Sequence, residues 1–245
     1  MEIMTGFIEN EKIRLNDIAG KSKYAIGANA YTIKYSGTLF LKYMQKGNVL
    51  EMGPAEGLMT DILYPYFTDY TIVDGAEKFV NKLKEKYPKI KGYISLFENY
   101  ESAEKYQNII LGHVLEHVED PVVILKKCAE LLKPNGRIMA AVPNCNSIHR
   151  QAAVMMGLLS STDELNEMDR YHGHRRVYSH EKLKENFIKA GLDIKKCGGY
   201  WLKPVSNKQI EESWNTMMIE AFMELGEKYP DIAAEIYIIA EQNIN

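Results

Sequence analysis

From about Asn48 the chain alternates short apolar runs with stretches in which apolar residues recur every three or four positions. The runs are NVLEM from Asn48, YTIVD from Tyr70, GYIS from Gly92, NIILG from Asn108 and RIMAAV from Arg137. Their apolar residues sit at successive positions, which predicts strands covered on both faces. Between them, Ala76 to Tyr87 places Phe79, Val80 and Leu83 at helical spacing before Pro88, and Pro121 to Leu132 places Val122, Leu125, Ala129 and Leu132 on one face. Pro121 suits a helix start, and Pro134-Asn135-Gly136 reads as a stop and turn. Strand and helix in alternation predict an α/β fold with a doubly wound, mostly parallel sheet.

The last third continues the pattern less regularly. Ser179 is placed to cap a helix running through Leu183, Phe187 and Ala190 to Gly191, and LDIKKCGGYW reads as a sixth strand. One long amphipathic helix is expected from about Asn207 to Lys228, ending before Pro230, and EIYIIAE supplies a seventh strand. Two segments stand outside the alternation. Residues 1–46 read as a helical segment rich in tyrosine (Tyr24, Tyr31, Tyr35, Tyr43), and residues 144–178 read as an insertion after the fifth strand. Both are lid candidates, with 47–143 as the ligand-binding core and 179–245 completing the sheet of one domain.

Composition narrows the field. The 245 residues are 46% hydrophobic and 26% charged, which is ordinarily globular. A formal charge of -3 argues against a nucleic-acid binder driven by phosphate contacts, and points to a small ligand. Three scattered cysteines, Cys128, Cys145 and Cys197, make neither a disulfide framework nor a metal knuckle. With no signal-like N-terminal run and no apolar stretch long enough to span a bilayer, a soluble cytoplasmic protein without a membrane partner is expected, as monomer or homodimer.

The candidate chemistry begins at NVLEMGPAEGLMT, where a strand runs into a glycine-containing turn and then a helix. A dinucleotide fingerprint starting at Gly53 would need glycine at 55 and 58, where Ala55 and Leu58 stand. Glu51 and Glu56 are also poor neighbours for a pyrophosphate. The segment E-M-G-P-A-E-G instead resembles the first motif of the class I S-adenosylmethionine-dependent methyltransferases, an acidic strand end followed by G-x-G-x-G. Glu51, Gly53 and Gly57 match, and Ala55 replaces the middle glycine. Asp74, which ends the second strand, matches the second motif, and HVLEHVEDP and LLKPNGRIMAAVPN extend the resemblance over roughly residues 46–200.

The resemblance implies a Rossmann-like seven-stranded sheet with helices on both faces. It also implies S-adenosyl-L-methionine as cofactor, S-adenosyl-L-homocysteine as product, and Asp74 holding the ribose hydroxyls. Gly75 and Ala76 would lie beside the adenosine, Leu96 and Phe97 would flank the adenine, and His113 would sit near the methionine or acceptor end. A tight turn at Gly53 and Gly57, a helix cap at Asp74 and core packing at Phe97 remain the plain readings of the same residues.

His113 and His117 lie four apart around Glu116. On a helix Glu116 would point elsewhere and further ligands are not nearby in sequence, so no metal is expected. RYHGHRRVYS gathers Tyr171, His172, His174, Arg175 and Arg176 into a candidate acceptor site for an anionic group, with His174, Tyr178 and Ser179 matching a family stretch. His113 and His174 are the candidate bases. These features predict methyl transfer to a hydroxyl or amine of a polar, phosphorylated or sugar-nucleotide-like metabolite. O-methylation of a quinone-type aromatic ring, or a noncatalytic cofactor-binding module, is the alternative.

Overall fold

The computed structural model describes residues 2–22 and 25–243; Tyr24 lies outside them. Seven strands, β1 (Val49–Met52), β2 (Tyr70–Asp74), β3 (Lys91–Ile94), β4 (Tyr106–Gly112), β5 (Leu132–Pro143), β6 (Leu192–Tyr200) and β7 (Glu235–Gln242), form one sheet. Their spatial order is β3-β2-β1-β4-β5-β7-β6. β1 to β5 are parallel, while β7 enters between β5 and β6 and runs antiparallel to both. Order reverses between β1 and β4, so the loops leaving their carboxyl ends diverge and leave a crevice where ligands of such sheets bind.

Each central strand feeds two cores. Leu50, Met52, Ile109, Leu111, Ile138, Ala140, Val142, Ile236 and Ile238 point to one side, where α5 (Pro121–Leu131) and α8 (His180–Lys189) cover them with Leu125, Cys128, Leu183 and Phe187. The intervening Val49, Ile110, Met139, Ala141, Tyr237 and Ile239 face the other side. There α2 (Gly27–Leu41), α3 (Leu58–Leu63), α4 (Glu77–Lys86), α9 (Asn207–Ser213) and α10 (Thr216–Lys228) close over them. The strict period of two explains why these strands read as continuous apolar runs. The remaining helices are α1 (Glu2–Lys21), α6 (Ile148–Met155) and α7 (Glu167–Tyr171). Among the described residues no helix is long and apolar enough to cross a membrane.

Several elements differ from the sequence expectation. β3 is a largely exposed edge, with Tyr93 and Ile94 about half accessible, because among the described residues it pairs with β2 alone. The single helix expected over 207–228 is two, because the Asn215 side chain accepts from the Met218 amide and starts a new helix while Trp214 turns onto the Phe222 ring. α5 buries Leu125 as expected, but Ile124, Cys128 and Leu131 go deepest beside it, Val122 and Ala129 are half-buried at the margin of the same core, and Leu132 already belongs to β5. Pro134-Asn135-Gly136 is not a stop and turn but an irregularity inside β5: pairing with β4 jumps from Tyr106–Leu132 to Asn108–Arg137, and Asn135 takes φ 60°.

Besides packing Ile219 and Met223 into the core, α10 is joined by its backbone to the chain leaving β6. The Trp201 and Leu202 amides donate to Met223 and Phe222 carbonyls at 3.0 and 2.8 Å, and a methyl on Gly226 would overlap the Trp201 backbone nitrogen. Glycine to alanine inside a helix is ordinarily favourable by about 1 kcal/mol. Here Gly226→Ala is expected to destabilise by about 1–3 kcal/mol, lowering Tm by roughly 2–12 °C in thermal unfolding. An unchanged or higher Tm would show that α10 is not held against β6 in this way.

Candidate functional site

The turn after β1 has left-handed backbone at Gly53 (φ 69°), Ala55 (φ 47°) and Gly57 (φ 87°). Ala55 therefore keeps the conformation that glycine would take, at a strain of roughly 1–2 kcal/mol. A Cβ on Gly53 would stand 2.9 Å from Val114 Cγ2 and 3.4 Å from Phe97 Cζ, so the missing side chain leaves room where three loops converge. Beside it is a cavity of about 110 Å³ whose wall includes Gly53, Ala55, Asp74, Gly75, Ala76, Leu96, Phe97 and His113. A wider cleft of about 640 Å³, bordered by Lys46, Asp69, Lys105 and Lys133, lies at the amino ends of the strands, the wrong end for a ligand of an open parallel sheet.

Asp74 ends β2 with Oδ1 accepting from the Ala76 amide at 2.8 Å and Oδ2 at 3.4 Å from the Ala55 amide. Burial pushes its carboxyl up to about 6 against those hydrogen bonds. Glu51 does not join the wall. It is buried under the turn, accepting from Thr60 Oγ1 at 2.7 Å and Tyr70 OH at 2.8 Å, and burial raises it to about 7. Its place is to tie β1 to α3 and β2. Gly57 likewise serves packing, since a Cβ there would overlap Leu83 of α4.

The cavity is roofed by α1 through Glu11, Arg14, Leu15 and Ile18, which sequence reading did not single out. Their i, i+3, i+4, i+7 spacing was the available signal. Leu15 packs on Gly75, where any Cβ would collide with it, and Arg14 donates to the carbonyls of Gly173 and His117, both at 3.2 Å.

A second, polar group adjoins this wall. His113 sits at φ 59° just past β4, with Nε2 3.0 Å from Tyr200 OH and Nδ1 3.6 Å from Glu116 and 3.8 Å from Glu235. Burial alone would lower the His113 pKa, but the two carboxylates outweigh it and hold it above the ordinary imidazole value. The expectation that Glu116 points away from the histidines fails, because residues 113–118 form a turn, not a helix, and the wheel does not apply. Glu116, His117 and His174 bring their ligating atoms within 4.8 Å of one another. Burial lowers His117 to about 3.

Comparison with known proteins gives this geometry its context. A methyltransferase-domain family model matches residues 31–196, more than half of the sequence. The chain belongs to that methyltransferase family. It is 23% identical over 167 residues to a ubiquinone biosynthesis O-methyltransferase of Rhizobium etli, covering 65% of each protein, so it spans about two thirds of that relative's length. In structure it is similar to 1,6-didemethyltoxoflavin-N1-methyltransferase of Burkholderia thailandensis, with TM-score 0.63, 14% identity, and 99% of this chain and 90% of that one covered. It is also similar to an S-adenosylmethionine-dependent methyltransferase, possible histamine N-methyltransferase, of Thermotoga maritima, with TM-score 0.62, 15% identity, and 96% and 95% covered. The seven-stranded, mostly parallel sheet is the fold shared with these structures.

Within this methyltransferase fold the 171–176 cluster is turned to structural use. Arg175 donates Nε to the His117 carbonyl at 3.0 Å and pairs with Glu11 at 3.0 Å and Glu119 at 2.5 Å. Arg176 donates to the carbonyls of Leu115, Val118 and Glu119 at 2.6–2.9 Å. Tyr171 OH donates to the Lys21 carbonyl at 2.9 Å and His172 packs edge-on against Tyr171. His174 approaches Asp169 at 3.3 Å and His117 in an edge contact, so it joins the histidine cluster from behind and does not line the cavity. Tyr31 and Tyr35 reach toward the C-terminal helices, Tyr35 stacking on Tyr200 at 5.5 Å.

A carboxyl whose folded pKa is raised favours its neutral form, so its contribution to stability is largest at low pH and falls as pH climbs from about 3.8 to about 6 for Asp74. That shift of 6 minus 3.8 corresponds to on the order of 3 kcal/mol. Asp74→Asn is therefore expected to flatten the decline in Tm between pH 4 and pH 7 and to raise Tm at pH 7 by roughly 6–12 °C. Parallel Tm-versus-pH profiles for the two proteins would show that Asp74 is not shifted.

Proposed function

We propose that this protein transfers a methyl group from S-adenosylmethionine to a hydroxyl of a small aromatic or enolic acceptor. The observation carrying the reading is the meeting, on one cavity wall, of the left-handed 53–57 turn, the Asp74 carboxylate and His113. The wall suits the donor: Asp74 is a buried acceptor for a ribose diol, Gly53 leaves backbone open, and Leu96 and Phe97 offer apolar faces. Ala55 holding glycine's conformation favours a working site over a noncatalytic one. When bound, the donor supplies an electrophilic methyl on a positively charged sulfur.

The chain then has to align, dry and deprotonate. At 110 Å³ the cavity is smaller than the roughly 300 Å³ that small-molecule sites begin at, so α1 gives way on binding and returns as a lid. His113 Nε2 is the proton-accepting atom at the wall: an acceptor hydroxyl that displaces Tyr200 from it leaves its proton there as the oxygen takes up the methyl. An apolar, hydroxyl-bearing acceptor is favoured over a phosphorylated one because Arg175 and Arg176, the residues that suggested an anion, are engaged with Glu11, Glu119 and main-chain carbonyls. The O-methyltransferase named among the relatives points the same way.

Saturating S-adenosylmethionine or S-adenosylhomocysteine, at about 100 times Kd, is expected to stabilise the protein by about 2.7 kcal/mol in thermal shift. Asp74→Ala should cost about 1.5–3 kcal/mol in calorimetric affinity, and Gly53→Val should abolish binding. A folded Asp74→Ala protein with unchanged affinity takes Asp74 out of the ribose site. With a phenolic acceptor, His113→Asn is expected to lower kcat roughly 10²- to 10⁴-fold at saturating acceptor while leaving donor affinity intact. Turnover of phosphorylated acceptors only, with Arg175→Ala raising their KM, would reverse the choice of acceptor.

A further inference from the structure

Glu116 is 1% exposed, and among the described residues neither of its carboxylate oxygens has a hydrogen-bond partner. A buried carboxylate without a donor is costly, so the surroundings have to supply a compensating positive group. Three imidazoles stand around it. His117 and His174 place their ligating nitrogens, with the Glu116 oxygen, within 4.8 Å of one another, and His113 Nδ1 is 3.6 Å from Glu116 Oε1.

The cluster is also braced from outside. His117 Nδ1 lies 3.3 Å from the Gly173 carbonyl, and His174 Nδ1 lies 3.3 Å from the Asp169 carboxylate. Asp169 is in turn fixed by Arg150 at 3.0 Å and by a reciprocal cap with Asn166. A carbonyl or carboxylate behind the ring is the partner that orients metal-bound histidines. The turn itself cannot drift, because Arg175 and Arg176 bind its carbonyls.

We propose that Glu116, His117 and His174 form a binding site for a divalent transition-metal cation, with His113 Nδ1 in reach as a further donor. Two imidazoles and one carboxylate suit Zn²⁺, Co²⁺ or Fe²⁺ better than Mg²⁺ or Ca²⁺, which prefer all-oxygen sets. Bonds of about 2.0–2.2 Å require donors roughly 3–3.5 Å apart, so a pair at the 4.8 Å limit closes by roughly 1.3–1.8 Å through side-chain rotation. His113 and His117 line the donor cavity as well, so the cation would sit at its wall. The inference stands on geometry independent of the methyl-transfer reading.

The test uses the full chain, purified without a histidine tag, stripped with EDTA, and titrated with Zn²⁺ and Co²⁺ alone. About one equivalent retained after gel filtration, a rise in Tm with either ion, and visible Co²⁺ absorption bands are expected in the wild type. Glu116→Gln and His174→Asn should each weaken Co²⁺ affinity at least roughly tenfold, while Asp74→Asn leaves it unchanged. Circular dichroism reports whether each variant is folded, and His174→Asn carries the test should Glu116→Gln unfold. Retention below about 0.1 equivalent in the wild type, or wild-type affinity in a folded His174→Asn protein, overturns the proposal.

Discussion

The reversal of strand order between β1 and β4 is the constraint from which the rest follows. Two parallel strands that hand their chains to opposite faces of the sheet leave a gap that no crossover fills, and the cavity opens there, walled by the loops after β1 to β4 and roofed by α1. Gly53 and Val114 nearly touch across it, so the width of the opening is set by one absent side chain. The two apolar layers on either side hold the strand ends in register, and the site inherits its rigidity from them.

The turn after β4 is the second fixed point. Its successive carbonyls from Leu115 to Glu119 are all taken, by Arg176, the Arg175 amide, the Arg175 and Arg14 guanidiniums, and Tyr178. A buried loop has to satisfy its backbone somewhere, and here side chains do what a helix would have done internally. That explains why an arginine pair resembling an anion site in sequence is absorbed by main chain, and why the histidines inside the turn can converge on Glu116.

What the sequence made legible is what short-range pattern encodes. Short runs of successive apolar residues located the strands, Ser179 and Pro121 located helix starts, and the glycine turn with Asp74 located the cavity. Long-range partners were not legible. Nothing near position 51 announces that Thr60 and Tyr70 will bind Glu51, and nothing near 116 announces His174. The roof over the cavity depends on where a separate helix lands, and the break at Trp214-Asn215 depends on a cap that competes with continuous helical periodicity. The exposed edge β3 shows the same limit, since coverage is a property of neighbours.

The placement of β7 has a consequence for how the chain acquires its shape. β6 pairs with β7, and β7 alone joins it to β5, so a nascent chain that has just delivered residues 192–200 holds a strand with no edge to meet. The parallel half of the sheet can assemble as it is made, whereas the far half waits for residues 235–242 to arrive and slide between two elements already present. Until then β5 displays an open apolar margin, and synthesis passes through a stage in which the half-built sheet is at its most adhesive.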